Sequence, residues 1–296
     1  MTDFSQLTII IPVFNEAQSL PGLLPEILQF CKTRNFLLLA VNDASTDDSA
    51  DILQAAASQW DGMTVITHKV NRGYGGALSS GLAQAQTPYA ITIDADGQHR
   101  LDDVDALMSA RKRTDADMVI GRRSENSRNF QQAYRSLGKK IIRGIAKVLV
   151  DLPVQDLNSG MKLYDTSLAQ RYLPLCPDGM AFSDVMTLIF LQQKHLVIEE
   201  PIEVLDRKAG LSTINTMTAF DTVIQILNIV MVFNPLRIFL PVGLIAILAG
   251  LLWAVPFFIR GHGLSTVAML SITTGLILIM LGLIAEQLSQ IRRKNL

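Results

Sequence analysis

A mostly parallel α/β domain followed by a pair of membrane-spanning helices is the fold class the sequence predicts. Three observations predict it: short apolar runs alternate with helical periodicities from Leu7 to about residue 120, a polar cluster follows each run, and two long uncharged spans occupy the C-terminal end. At 296 residues the chain can hold one large domain with a substantial core plus an appendage. Hydrophobic residues make up 49% and the mean hydropathy is +0.29, high for a chain that is 18% charged, and the excess sits at the C-terminal end. A formal net charge of −1 offers no general attraction for a polyanion, so no nucleic-acid partner is expected. Cys31 and Cys176 fit no metal or redox spacing and are expected to be reduced, buried thiols in a cytoplasmic setting.

The first run, LTIIIPVF, is short and has no basic region before it, so a first strand is expected rather than a signal peptide. LPGLLPEILQFCK then carries a helical pattern, FLLLAV a second strand, SADILQAAASQW a helix and MTVIT a third strand. GGALSSGLAQAQ, YAITID and DMVI continue the alternation. Strands this apolar on both faces, spaced by helices, argue for a largely parallel sheet covered on each side. In such sheets ligands bind beyond the carboxyl ends of the strands. The polar clusters NE, NDASTDD, NRGYGG, DADGQH and GRRS all fall there, which is the strongest purely physical sign of an active site.

Residues from about 126 to 211 are mixed and include the basic stretch YRSLGKKIIRGIAKVLV. In TMTAFDTVIQILNIVMVF, the residues Met217, Phe220, Val223, Ile224, Leu227, Val230 and Met231 recur at helical spacing. That pattern suits an amphipathic helix along a membrane interface, or a core helix. The uncharged spans 238–259 and 264–285 are each about 22 residues, enough to cross a hydrocarbon core of ~30 Å. Arg207, Lys208 and Arg237 precede them and Arg292, Arg293 and Lys294 follow, with only Arg260 and His262 between. The positive-inside rule places the large domain and the C-terminus on the cytoplasmic side of the membrane, and a bacterial inner or plasma membrane is the expected location. The expected divisions are residues 1–211, an interfacial helix over 212–236, and a transmembrane hairpin with a basic tail over 237–296. Apolar surface left on the hairpin and interfacial helix could pair subunits into a homo-oligomer. A transporter is disfavoured, because the spans hold little polar beyond Ser265, Thr266, Ser271, Thr273 and Thr274.

Asp94 and Asp96 lie two positions apart at a strand end, so both can approach one cation, and oxygen ligands suit Mg²⁺ or Mn²⁺ carrying a diphosphate. Gly97 permits the turn, and Gln98 and His99 add polar or metal-binding groups; DADG is equally good chemistry for a solvated turn. Asp43 follows a buried strand, where a carboxylate can accept from a base or ribose, or its loop can cap a helix. Gly73, Gly75 and Gly76 precede a helix and let backbone approach a phosphate or sugar. Neither G-x-G-x-x-G nor G-x-x-x-x-G-K-[ST] is present, which disfavours a nicotinamide enzyme or a P-loop ATPase.

Taken in order, IIPVFNE, VNDASTDDS, NRGYGGA and DADGQH resemble the family 2 glycosyltransferases of the GT-A (Rossmann-like) fold. GRRS, DLNSGMKLY, EEPIEVLDRKAGLS and the hairpin resemble the polyprenyl-phosphate branch of that family. The resemblance implies a donor site of Pro12, Asn15, Glu16, Asp43, Asn71, Gly75, Asp94, Gln98 and Arg207, with Asp94, Asp96 and Gln98 holding the metal. It implies acceptor-phosphate contacts from Arg122, Arg135 and Lys139, the last standing where the family often has serine. Asp96, Asp156 and Asp184 are the candidate catalytic carboxylates, the latter two on the sugar side; Asp156 can equally cap its own loop. The Q-x-x-R-W motif of processive members is missing and two spans are too few for a polysaccharide channel, so a single inverting transfer is expected. The reaction implied moves one sugar from a nucleotide-sugar to a polyprenyl phosphate of the undecaprenyl or dolichyl type, with Mg²⁺ or Mn²⁺. Another membrane-lipid acceptor, or a non-catalytic nucleotide-sugar-binding subunit, are the competing readings.

Overall fold

The computed structural model describes residues 6–123, 154–157, 159–203, 231, 234–261 and 263–294, which fall into two compact units. The first is built on a seven-stranded sheet with strand order β3-β2-β1-β4-β6-β5-β7. Its strands are β1 (Leu7–Val13), β2 (Leu37–Asn42), β3 (Met63–Thr67), β4 (Tyr89–Thr92), β5 (Met118–Arg123), β6 (Lys162–Asp165) and β7 (Val197–Ile202). Helices α1 (Leu20–Arg34), α2 (Ser49–Ala57), α3 (Tyr74–Gln84) and α4 (Asp102–Thr114) connect the first five strands, and α5 (Thr166–Tyr172) and α6 (Phe182–Gln192) lie between β6 and β7.

Alternation along β1 divides the core between two faces. Ile9, Ile11 and Val13 join Leu23, Leu24 and Ile27 of α1, Leu53 of α2 and Val104 and Leu107 of α4 in one buried cluster. Ile10 points the other way, onto α3, where a Cβ added at Gly81 would fall 2.4 Å from its Cγ2. Each large aliphatic side chain removed from water contributes about 1.5–3 kcal/mol, so these two layers hold the sheet. Helices α1 and α4 end on Asn35 and Asp115, whose φ of 57° and 54° are the left-handed caps that short polar residues tolerate. Cys31 is buried as expected but Cys176 only half so; both are free thiols, pushed up to about 12 by burial.

The sheet departs from a simple parallel series at one place. β4 and β5 do not pair; β6 lies between them, antiparallel to both, with Lys162 in register with Thr92 and with Ile120. The other strand pairs are parallel. Running backwards, β6 brings its N-terminal end, and the 154–161 segment before it, to the carboxyl edge of β4 and β5. The sequence left this strand inside a mixed region, because a lysine interrupts its apolar run.

The second unit contains α7 (Leu236–Ile259) and α8 (Thr266–Lys294), both long and apolar enough to cross a bilayer. The first begins two residues before the expected span, and the second runs past residue 285 to Lys294. Most of the interfacial helix expected over 212–236 lies outside the described residues. The outer faces expose Leu252, Phe258, Met269 and Leu270, while the seam between the helices is glycine against backbone. A Cβ at Gly243 would lie 2.8 Å from the Gly275 carbonyl, one at Gly275 2.6 Å from the Gly243 carbonyl, and one at Gly250 3.0 Å from that of Ala268. Ser271 Oγ closes the contact by donating to the Ala246 carbonyl at 2.7 Å. Lipid supplies no hydrophobic force between helices, so close backbone approach and such bonds provide the association.

Because a Cβ on Gly275 would meet the Gly243 carbonyl at 2.6 Å and the Ile247 N at 3.0 Å, both backbone, as well as Ile247 Cγ1 at 2.6 Å, a side chain there cannot be accommodated without parting the helices. Gly275→Val is expected to destabilise the detergent-solubilised protein by about 1–3 kcal/mol, the usual cost of overpacking. A lowered melting temperature would register it, with Leu252→Val on the exposed face as the neutral control; an unchanged value for Gly275→Val would refute the close seam.

Candidate active site

The carboxyl edge of the sheet gathers the polar clusters, and their side chains are mostly engaged with one another. Asn15, with φ of 55°, accepts at Oδ1 from Thr46 N at 2.8 Å, while its own N–H donates to Ser45 Oγ at 3.1 Å. Glu16 N donates to Ser49 Oγ at 2.9 Å, so the turn after β1 is stitched to the turn after β2. Pro12 sits half-buried just before that turn. The Glu16 carboxylate accepts from Ser19 Oγ.

Asp43 is 2% exposed and caps no helix. Its Oδ1 accepts from Arg72 N at 2.8 Å and pairs with His68 Nδ1 at 2.6 Å, and its Oδ2 accepts from Gly73 N at 2.7 Å. His68 Nε2 in turn meets Ser80 Oγ at 2.9 Å. A carboxylate has about four acceptor sites, and Asp43 spends at least three of them within the protein. Asn71 Oδ1 shares the Gly73 N–H, at 3.0 Å. Gly75 is glycine for a packing reason: a Cβ there would lie 2.5 Å from the Gly179 carbonyl and 2.6 Å from that of Pro177. The Asp178 carbonyl accepts from Gly76 N at 2.9 Å, so the first turn of α3 is covered by the 177–179 loop.

Asp94 and Asp96 follow β4 in a turn closed by Gly97 at φ 72°. The stretch does form a tight turn, but a largely buried one rather than a solvated one, with Asp94 and Asp96 both half-buried. Asp94 Oδ1 accepts from Tyr74 Oη at 2.8 Å, and its Oδ2 lies 3.5 Å from Nε2 of His99, which is 8% exposed. Burial alone would raise the Asp94 carboxyl; bonds from His99 and Tyr74 and the charge of Arg123 outweigh it and hold the group below the usual carboxylate range. A Cβ on Gly160 would fall 2.0 Å from Asp94 Oδ2, so only glycine lets that loop close over the carboxylate. Asp96 Oδ1 accepts from Gln98 N at 3.1 Å. Among the described residues no three His, Cys, Asp or Glu side chains converge on one point. Two carboxylates and an amide nonetheless fit a hard cation, because Mg²⁺ commonly takes one or two protein carboxylates and completes its shell with phosphate and water.

The 154–161 segment forms the facing wall. Asp156 is gripped by Arg123, whose Nε and Nη2 each donate at 2.8 Å and whose backbone N–H adds a third bond at 3.1 Å. Burial would raise this carboxyl too, but the Arg123 hydrogen bonds and charge bring it below its ordinary value. Glu199 Oε1 accepts from both Gln155 N and Asp156 N, at 2.6 and 2.8 Å. Thr92 Oγ1 donates to the Gly160 carbonyl at 2.9 Å. Arg122, on the other face of β5, donates to Gln155 Oε1 at 3.3 Å. Asp184 stands in the first turn of α6 with Oδ1 buried and without a hydrogen-bond partner, and burial raises its carboxyl above the ordinary range. Arg135, Lys139 and Arg207 lie outside the described residues.

Tyr74, Arg123, Gly160 and Lys162 belong to this constellation and were not singled out from the sequence, whereas His99 was noted there only as a polar or metal-binding group beside the two carboxylates. Parity along β5 separates Arg123 from Arg122: neighbours on a strand face opposite ways, so only one of the pair reaches Asp156.

A sequence profile described as Glycosyl transferase family 2 matches residues 8–173, more than half of the chain. The chain belongs to that family. A second profile, the GtrB C-terminal hairpin, matches residues 234–291 of this glycosyltransferase. A Photorhabdus laumondii protein described as an undecaprenyl-phosphate 4-deoxy-4-formamido-L-arabinose transferase is 27% identical over 97% of this chain and 89% of its own length. A protein of the same description from Pseudomonas paraeruginosa is 27% identical over 96% of this chain and 85% of its own. The GT-A fold is shared with glucosyl-3-phosphoglycerate synthase from Mycobacterium tuberculosis, solved with Mn²⁺ and UDP-glucose, at a TM-score of 0.56 and 16% identity over 76% of this chain and 79% of that one. It is shared also with S. aureus TarS 1–349 in complex with UDP, at a TM-score of 0.51 and 18% identity over 77% and 65% of the two chains.

Gly160→Ala places a methyl group inside the Asp94 carboxylate contact. The variant is expected to fold, yet to bind Mn²⁺ with UDP at least about tenfold more weakly, equivalent to about 1.4 kcal/mol. Calorimetric titration would measure it, and unaltered affinity would show that the Asp94–Gly160 contact plays no part in that binding.

Proposed function

We propose that this glycosyltransferase moves a single sugar, with inversion and with a divalent cation, from a nucleotide-sugar to a polyprenyl phosphate at the cytoplasmic membrane face. The observation that carries this reading is the extent of the match to the undecaprenyl-phosphate transferases, which spans nearly the whole chain rather than the catalytic domain alone. Two apolar helices in the same chain supply a means of meeting a lipid acceptor where it resides.

The acceptor is a phosphate monoester with a second pKa near ~6, so at neutral pH it is largely dianionic and needs no strong base. Its oxygen forms the new bond to the anomeric carbon as the bond from that carbon to the nucleoside diphosphate breaks on the opposite side, which inverts the centre. Asp94 and Asp96, with the Gln98 amide, would hold Mg²⁺ or Mn²⁺, whose charge offsets that of the departing diphosphate. Pro12, Asn15, Glu16, Asp43 and Asn71 line the nucleotide side, and Arg207 assists at the diphosphate. Asp156, fixed by Arg123, orients the sugar, and Asp184 faces it from α6. Arg122, Arg135 and Lys139 pin the acceptor phosphate by charge-assisted bonds, so catalysis is mostly positioning and charge stabilisation.

The test is turnover of the full chain in detergent with undecaprenyl phosphate and a panel of UDP- and GDP-sugars, with Mg²⁺ or Mn²⁺ and then with chelator. One donor is expected to yield a lipid-phosphate sugar, chelator to abolish it, and Asp96→Ala to lower it by about 10²–10³-fold, the scale of losing an electrostatic stabiliser. Donor binding without lipid product would overturn the acceptor assignment, and chelator-resistant turnover the metal. Arg135→Ala is expected to raise the lipid KM more than the donor KM; equal effects on both would remove it from the acceptor site.

A further inference from the structure

We propose that Lys162 is a positioning residue that sets the separation and orientation of the Asp156 loop and the Asp184 helix. Its side chain is completely buried, at 0% exposure, and all three of its N–H donors are used. Nζ donates to the Leu157 carbonyl at 2.5 Å, to the Ser183 carbonyl at 2.9 Å and to Thr187 Oγ1 at 2.8 Å. Leu157 is the residue after Asp156, and Ser183 is the residue before Asp184. One ammonium thus bridges the backbone beside each of the two sugar-side carboxylates. Ser183 Oγ adds a parallel tie by donating to the Ser159 carbonyl at 3.1 Å.

A cation in this place is costly. Lysine is almost never fully buried unless paired, and removing an ammonium from water costs several kcal/mol. Among the described ion pairs none within 4.0 Å involves Lys162, so its compensation is three neutral oxygens and the more distant field. Asp184 from α6 and Asp156 from the facing loop favour the charged form, and Arg123 from β5 opposes it. Burial dominates and pushes the ammonium down to about 8. An apolar side chain of similar length would fill the same volume without this penalty, so packing alone does not account for lysine. What an apolar chain cannot do is hold the loop carbonyl and the helix carbonyl at a common point while lending Asp184 a positive neighbour. The role rests on the reading of Asp156 and Asp184 as sugar-side residues.

A neutral amine has two N–H donors, so losing the proton releases one of the three oxygens. Turnover is therefore expected to fall as pH rises through about 8. The experiment measures kcat and KM against pH for the full-length enzyme, Lys162→Met and Lys162→Arg, with UDP and GDP binding as a check on the donor site. Lys162→Met is expected to lose about 100-fold in kcat, the scale of an ångström of misplacement, while keeping wild-type nucleotide affinity. Lys162→Arg, charged throughout the range, is expected to recover part of the turnover and to lack the alkaline fall near pH 8. A folded Lys162→Met with wild-type kcat would overturn the proposal, as would an alkaline fall that persists unchanged in Lys162→Arg. Should Lys162→Met fail to fold, the comparison of wild type with Lys162→Arg still decides. Full turnover by both Asp156→Asn and Asp184→Asn would overturn instead the reading of those carboxylates, whichever way Lys162 behaves.

Discussion

The site depends on one strand running the wrong way. With β6 antiparallel between β4 and β5, the chain that enters it arrives at the sheet edge where Asp94 leaves β4 and Arg123 ends β5. A parallel strand in that position would have delivered its own carboxyl end there and sent the 154–161 segment to the opposite edge. Reversal instead sets Gly160 against Asp94 and Asp156 against Arg123, uniting groups that are 66 and 33 residues apart in the sequence. No local propensity encodes such a juxtaposition; it follows from strand order.

Saturation is the second property of this edge. Backbone N–H groups and carboxylates of five loops satisfy one another, so the loops support each other and little reorganisation is left for the moment of reaction. Asp43 shows the principle in miniature: its carboxylate holds the 71–73 loop through two backbone bonds while His68 and Ser80 steady it from behind. Among the described residues few buried polar side-chain atoms lack a partner, and His99 Nδ1 and Asp184 Oδ1 are two of them.

Much of this was legible in the sequence, and what was not has physical reasons. The strands β1, β2 and β4 announce themselves because both faces are almost wholly buried and their runs are largely apolar, while β3 at the sheet edge and the start of β5 show by short runs rich in β-branched residues and methionine. The hairpin is equally plain, since length without charge leaves few alternatives. β6 was not legible because Lys162 breaks its apolar run, and a buried lysine is read by composition as a surface one. The role of Asp43 was half legible: a carboxylate after a buried strand signals a site, but its partners His68, Arg72 and Gly73 are supplied by tertiary structure. Gly75 and Gly160 were opposite cases of one ambiguity. A glycine before a helix suggested ligand approach where the carbonyls of 177 and 179 pack closely, and the glycine of DLNSG, a motif read in the sequence for Asp156, seats against Asp94.

The glycine seam of the hairpin has a consequence for what the pair can be. Where two helices meet backbone to backbone, the space between them is spent, and no column of water or file of ions fits along the contact. As a pair, α7 and α8 leave no passage between their axes where these glycines meet. Whatever apolar chains surround the pair meet it on its outer faces, where Leu252, Phe258, Met269 and Leu270 stand exposed.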